Sequence, residues 1–287
     1  MLMIAKGEGN INNQIESLTL QHKEKKLELL LRSFSGVVVA FSGGADSAYL
    51  LFKALAVKGR DHLLAVTVDS PLSPPGEVEA AVVLAERLQA RHRVIFVDQL
   101  ADQGFSANST ERCYLCKKII MTELLAMAKA EGLVAVIEGS NLDDLKEYRP
   151  GLRALQELGV FSPMVEAALQ KAEIRHLSKQ AGLSTWNKPA APCLVTRFGY
   201  EEELRLDLIK QVAEGELYLR SLGVRGDLRL RSHGSLARIE VSADDAALIM
   251  AQHENISAKL RKIGFQYVTL DLCGFRSGYS ISHHPSS

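Results

Sequence analysis

Cysteine is scarce in this chain of 287 residues, with four in all, and tryptophan occurs once. The N-terminal stretch "MLMIAKGEGNINNQ" lacks the apolar core and small-residue cleavage pattern of a signal peptide. Four thiols in that setting do not read as a disulfide frame. They read as cytoplasmic thiols: packing groups, metal ligands or reactive groups. A surplus of either charge is absent, since 34 basic residues balance 34 acidic ones. That argues against holding nucleic acid or an anionic membrane by bulk charge and leaves only local basic patches for such partners. Long apolar runs are missing as well; "GVVVAF" and "LLAVTV" are far too short to span a bilayer. There is no internal repeat and no low-complexity tract. What remains is a composition able to bury a sizeable core.

From about Leu27 to Lys188 the pattern alternates. The short β-branched runs "GVVVAF", "LLAVTVD", "HRVIFVD" and "LVAVIEG" are bounded by turn residues, and segments of helical spacing lie between them. Strands that are apolar throughout belong to sheets covered on both faces. With the intervening helices they predict an α/β fold, a doubly wound parallel sheet. After Trp186 the proline-rich "KPAAPC" cannot continue a helix. A helix over 201–222, strands in "DLRLRSH" and "LARIEVS", a helix through 244–264 and a last strand "QYVTLDL" then predict a small α+β unit. The expected division is 1–188 and 189–287, with "PC" where the two meet.

The stretch "VVVAFSGGADSAYLL" bears most directly on function. A strand ends at Phe41, Ser42, Gly43 and Gly44 turn the chain, and Asp46 and Ser47 open a helix. Glycines let the backbone approach an anion, and a helix N-terminus directs N–H groups and the positive dipole end toward it. No Gly-Lys-Ser/Thr follows, so this is not a Walker A loop. The loop falls at the carboxyl edge of the sheet, where ligands bind in such folds. A tight turn with an Asp/Ser cap is the plain structural alternative.

Cys113 and Cys116, in "STERCYLCKK", share a face if the segment is helical. Zinc, a redox pair and buried packing thiols are open readings, although no second Cys-x-x-Cys or His-x₃₋₅-His follows at the usual spacing. Cys273 in "TLDLCGF" reads as a packing cysteine. Arg229 and Arg231 alternate along a strand and point to one face, which suits a phosphate, and Arg276 and Arg197 are similar candidates. Salt bridges on a solvated face are the alternative. Glu240 is a candidate metal or salt-bridge partner.

"SGGADS" after the first strand resembles the pyrophosphate-binding loop (PP-loop) of the ATP pyrophosphatase, or adenine-nucleotide α-hydrolase, superfamily. Its members cleave ATP between the α- and β-phosphates and adenylylate an oxygen of the substrate. By that resemblance Asp69 and Ser70, in "AVTVDSP", lie near the nucleotide, and Gly139, Ser140 and Asn141 face the same crevice. "EGSNLDDLKEYRPG", "KPAAPCLVTRF", "RLRSHGSLARIEV" and "GFRSGYS" follow in the order seen in LarE proteins, so the resemblance spans about Phe41 to Ser280. LarE proteins are ATP-dependent sulfur transferases that help build the nickel-pincer nucleotide cofactor of lactate racemase.

The LarE resemblance implies a pyridinium-biscarboxylate mononucleotide as substrate and ATP and Mg²⁺ as cofactors, with Asp46 a candidate ligand of the ion. It makes Cys193 an active-site residue and Arg197, Arg229, Arg231 and Arg276 contacts of the substrate. Its three-cysteine branch implies a [4Fe–4S] cluster on Cys113, Cys116 and Cys193; the other branch sacrifices the sulfur of the single cysteine. It further implies a sulfide or sulfur-donor partner and a homo-oligomer. A transfer-RNA thiolase with the same loop and three cysteines is the rival reading, and the balanced charge counts against it.

Overall fold

The computed structural model describes residues 5–146 and 149–276, with side chains from residue 19 onward. It divides into two compact units: 1–69, 77–97 and 113–190 in the first, and 70–76, 98–112 and 191–287 in the second.

In the first unit a helix α1 (Ala5–Ser33) precedes β1 (Val37–Ala40), α2 (Ala45–Lys58), β2 (Leu63–Asp69), α3 (Glu77–Arg87) and β3 (His92–Phe96). Then come α4 (Arg112–Ala130), β4 (Ala135–Ile137), α5 (Gly151–Leu158) and α6 (Lys171–Gln180). The four strands are parallel in the order β3-β2-β1-β4. Successive side chains of a strand point to opposite faces, and both faces here are covered. Val37, Val39, Leu63, Ala65, Ala135 and Ile137 pack with Leu31 of α1, Leu50 of α2, Ala81 of α3 and Ile174 of α6. Val38, Leu64, Val66 and Val136 pack with Met121 and Leu124 of α4 and Leu155 of α5. The sheet is therefore doubly wound, as its apolar strands predict. One strand departs from expectation. "HRVIF" forms the edge, so Phe96 is 68% exposed and Val94 40%.

The second unit is built on α7 (Leu206–Ser221), β5 (Leu228–His233), β6 (Leu236–Val241), α8 (Ala243–Ala251), α9 (His253–Ile263) and β7 (Tyr267–Leu270). β5 and β6 form an antiparallel hairpin, and β7 adds in parallel beside β6. The glycine of α7, Gly215, faces Leu230 and Leu260 so closely that a Cβ would collide with Leu230. Two helical expectations shift. α7 starts at Leu206, not Glu201, because Glu201 takes a left-handed φ of 68° and Leu204 N–H bonds the Ser106 carbonyl. The expected helix over 244–264 breaks at Gln252 (φ −113°, ψ 19°), where His253 Nδ1 bonds the Met250 carbonyl. Among the described residues, no helix is long and apolar enough to cross a membrane.

Candidate active site

The chain order reverses between β1 and β4, on either side of which the crossovers run over opposite faces; ligands of open α/β sheets bind at the carboxyl ends of such a pair. The segment Ser42–Ser47 occupies that end of β1. Gly43 adopts φ 71°, and a Cβ there would lie 2.9 Å from that of Ala81 on α3, so only glycine fits. Gly44 is the N-cap of α2 and no side chain caps the helix. Ser42 Oγ and Ser47 Oγ are 3.1 Å apart, and Ser47 Oγ also donates to the Gly44 carbonyl at 3.2 Å. Gly139, at the end of β4, has its α-carbon against the first turn of α2; a Cβ would come within 3.1 Å of Ser47 N and Cα. Its place is that of a spacer, letting two carboxyl-end turns approach.

Asp46 lies in the first turn of α2. Burial pushes its carboxyl above the ordinary range, and the cations Lys171 and Arg175 of α6 oppose that while Asp144 adds to it. Asn141 Nδ2 donates to its Oδ2 at 3.4 Å, but Oδ1 is buried without a hydrogen-bond partner among the described residues. A buried, unpartnered carboxylate oxygen beside an uncapped helix start fits a hard cation such as Mg²⁺. Asp69 is exposed at the end of β2. Ser70 belongs to the second unit; its hydroxyl is engaged, donating to Gln99 Oε1 and accepting from Leu72 N–H in its own turn.

Cys113 and Cys116 sit in the first two turns of α4, three positions apart and so on one face, the first exposed and the second half-buried. None of the four cysteines is in a disulfide. Such a pair fits two of the thiolate positions of an iron–sulfur cluster. Lys117, the next residue, reaches Glu138 Oε2 at the end of β4 (3.8 Å). Cys193 belongs to the second unit, where it is exposed and caps a single turn of 3₁₀ helix, Leu194–Arg197. Within either unit, no three described His, Cys, Asp or Glu side chains gather as a metal site. Cys273 is exposed, which corrects its reading as a packing residue: it follows β7 in a turn pinned by Asp271 Oδ1 and lies outside the core.

The arginines differ among themselves. Arg197 is buried; its Nε and Nη2 clamp Glu216 of α7, each at 2.9 Å, and Nη1 donates to the carbonyls of Pro192 (2.8 Å) and Cys193 (3.1 Å) and to Thr196 Oγ1. It fixes the backbone on both sides of the Cys193 α-carbon while leaving the thiol exposed. Arg231 is also buried, bonded to Glu240 Oε1 (2.6 Å) and to the Thr196 carbonyl (2.9 Å). Glu240 further accepts from Arg238 at 3.0 Å, so its described partners are arginines. Arg229, in contrast, lies over the Phe275 ring at 4.9 Å and donates to the Leu228 carbonyl. Burial, with Arg197 and then Arg231 repelling its charge, pushes its guanidinium down to about 10. A cation so placed would be stabilised by an arriving anion. Arg276 is exposed, and of "GFRSGYS" the residues from 277 lie outside those described.

Two residues of this arrangement escape a reading of the sequence alone. Glu216 falls at helical spacing with Ile209, Val212 and Leu219 on the buried stripe of α7; a charge at such a position is the signal of a buried partner. Lys188, whose ammonium donates to the Gly43 carbonyl at 3.2 Å, carries no such signal beyond its place before two prolines.

Comparison with known proteins agrees with this geometry. A family model described as NAD synthase matches residues 20–141. The chain is 39% identical over 260 residues to the pyridinium-3,5-bisthiocarboxylic acid mononucleotide synthase of Lactiplantibacillus plantarum, covering 91% of this chain and 94% of that protein. It is 38% identical over 260 residues to an uncharacterized protein of Synechocystis sp., covering 89% and 96%. The NH₃-dependent NAD⁺ synthetase of Hyperthermus butylicus is 26% identical over 206 residues, 67% of this chain and 73% of that protein.

Proposed function

The chain belongs to the LarE family of pyridinium-3,5-bisthiocarboxylic acid mononucleotide synthases, ATP-dependent enzymes of the PP-loop superfamily, and on that premise we propose that it converts carboxylates of a pyridinium-3,5-biscarboxylate mononucleotide into thiocarboxylates. The observation that carries the proposal is the extent of the likeness. The NAD synthase model ends at residue 141, whereas the 260 matched residues of the L. plantarum synthase run on through most of the second unit.

A carboxylate is a poor electrophile, so the first step is activation. A substrate carboxylate oxygen attacks the α-phosphorus of ATP, the bond from that phosphorus to the bridging oxygen breaks, and pyrophosphate leaves. The loop Ser42–Ser47 holds the departing pyrophosphate at the start of α2, where N–H groups and the helix dipole favour negative charge. A Mg²⁺ ion on Asp46 would offset phosphate charge. A sulfur nucleophile then attacks the carbonyl carbon, the carbon–oxygen bond to AMP breaks, and a thiocarboxylate and AMP result. No net oxidation occurs, and one ATP is used per carboxylate.

Cys113, Cys116 and Cys193 would hold a [4Fe–4S] cluster, which would supply sulfide as the nucleophile. Arg197 keeps the Cys193 backbone in place, and Arg229 receives the phosphate of the mononucleotide.

The experiment is to purify the protein without oxygen and measure iron and acid-labile sulfide, then follow AMP and thiocarboxylate formation with supplied sulfide. About four irons per chain are expected, with many turnovers per chain and only one or none in Cys113→Ala. Normal cycling by Cys113→Ala would end the cluster reading and return Cys193 to the role of sacrificial donor. No AMP with the biscarboxylate substrate would end the whole proposal.

A further inference from the structure

Lys188 stands just before the proline-rich segment that leads to Cys193, and the motifs of the nucleotide loop do not include it. Its ammonium donates to the Gly43 carbonyl at 3.2 Å and to Glu77 Oε2 of α3 at 2.8 Å. Its own carbonyl accepts from Arg175 Nη2 of α6 at 3.1 Å. The residue is thus held from both ends, with the backbone tied to α6 and the side chain tied to the loop and to α3.

The chemistry of the peptide group makes this contact consequential. A trans peptide carries its C=O and N–H in opposite directions, and no peptide of the described residues is cis. Fixing the Gly43 carbonyl on one side of the loop therefore turns the Gly44 N–H to the other. Gly43 needs such a restraint, because a glycine at φ 71° has no Cβ to limit it. Among the described residues the Gly44 N–H has only a long contact, 3.4 Å to Ser42 Oγ, which a phosphate oxygen would readily outcompete. Glu77 already neutralises the ammonium.

We infer that Lys188, paired with Glu77, is a positioning residue for the ATP reaction: it sets the peptide between Gly43 and Gly44 so that the Gly44 N–H meets the pyrophosphate, and it does not serve as the phosphates' counter-ion. This rests on the reading of Ser42–Ser47 as the pyrophosphate loop.

The two roles predict opposite results in one variant. Glu77→Gln leaves the carbonyl of Gly43 to compete for a less well-fixed ammonium. Under the positioning role it weakens binding; under the counter-ion role it frees a cation and tightens binding. The assay is calorimetric titration of the full-length chain with inorganic pyrophosphate and Mg²⁺, together with KM for ATP against kcat in AMP formation. Lys188→Met and Glu77→Gln are each expected to weaken pyrophosphate by roughly tenfold, the scale of one charge-assisted hydrogen bond. KM for ATP should rise alike and kcat fall much less, and Lys188→Arg should retain most of the affinity. Tighter pyrophosphate in Glu77→Gln, or unchanged affinity in a folded Lys188→Met, would overturn the inference while leaving the loop reading intact. A wild-type protein that bound neither ATP nor pyrophosphate would overturn both.

Discussion

Arg197→Ala tests how the second unit holds its cysteine. The guanidinium side chain is 3% exposed and Glu216 11% exposed, so the pair is screened little by solvent. The substitution leaves Glu216 with the Leu230 N–H as its remaining hydrogen bond among the described residues, at 2.9 Å. Removing one partner of a buried ion pair costs about 3–5 kcal/mol, because the other charge stays in the interior uncompensated. The carbonyls of Pro192 and Cys193 lose their guanidinium partner in the same step. Urea titration should show that loss. Arg197→Met combined with Glu216→Leu removes both charges, and burying apolar groups of similar size in place of an ion pair is often neutral. The double variant should therefore recover part of the loss and stay about 1–3 kcal/mol below wild type, the cost of leaving the buried Leu230 N–H without its acceptor. It should not recover thiocarboxylate formation, since the Pro192 carbonyl loses its guanidinium and the Cys193 carbonyl keeps only Thr196 as a hydrogen-bond donor among the described residues. A single variant destabilised by less than about 1 kcal/mol would refute the buried-pair argument. A double variant with full activity would refute the role of Arg197 in placing the cysteine.

Asp46 sets stability against function. Its folded pKa lies above its unfolded one, so the folded chain binds the proton more tightly; that stabilisation is present at low pH and is lost as pH rises through the folded pKa. Asp46→Asn should melt higher than wild type at pH 8, lose that advantage near pH 4, and form no AMP from Mg-ATP; a lower melting temperature at pH 8 would contradict the burial argument. Gly139→Ala should force the first turn of α2 outward from a Cβ contact of 3.1 Å to Ser47 backbone atoms. A cost of about 1–3 kcal/mol is expected from overpacking, and KM for ATP should rise; unchanged ATP kinetics would show that the turn yields without moving the loop.

Much of the first unit can be read from sequence because its strands are buried on both faces. A short, continuous apolar run bounded by turn residues, such as Val37–Val39, suits an inner parallel strand better than any element with a wet face. The edge position of β3 cannot be read that way. "HRVIF" ends in three apolar residues in a row, like an inner strand, and the order of strands, set by the crossovers, exposes Phe96. In the candidate site, the glycine turn and the start of α2 are legible since positive φ and an uncapped helix leave residue-type signatures. The partners of the arginines are not. Arg197 and Glu216 are 19 residues apart, and Arg229 and Arg231, two residues apart on one strand, have different neighbours: an aromatic ring for one and a carboxylate for the other. Such differences arise from side-chain packing across elements, which alternation along a strand does not encode.

The second unit draws two of its pieces, 70–76 and 98–112, from early in the chain. Asn108 and Arg112 are buried there, and partners of both come late: Asn108 Nδ2 donates to the carbonyl of Gly199, 91 residues on, and Arg112 stacks on the Tyr200 ring at 4.2 Å. On a ribosome adding about 5–20 residues per second, those early pieces wait on the order of 5–20 s for their partners to be made. A nascent chain halted before residue 191 would therefore present Asn108 and a buried-type arginine without their partners to the chaperones of the cell.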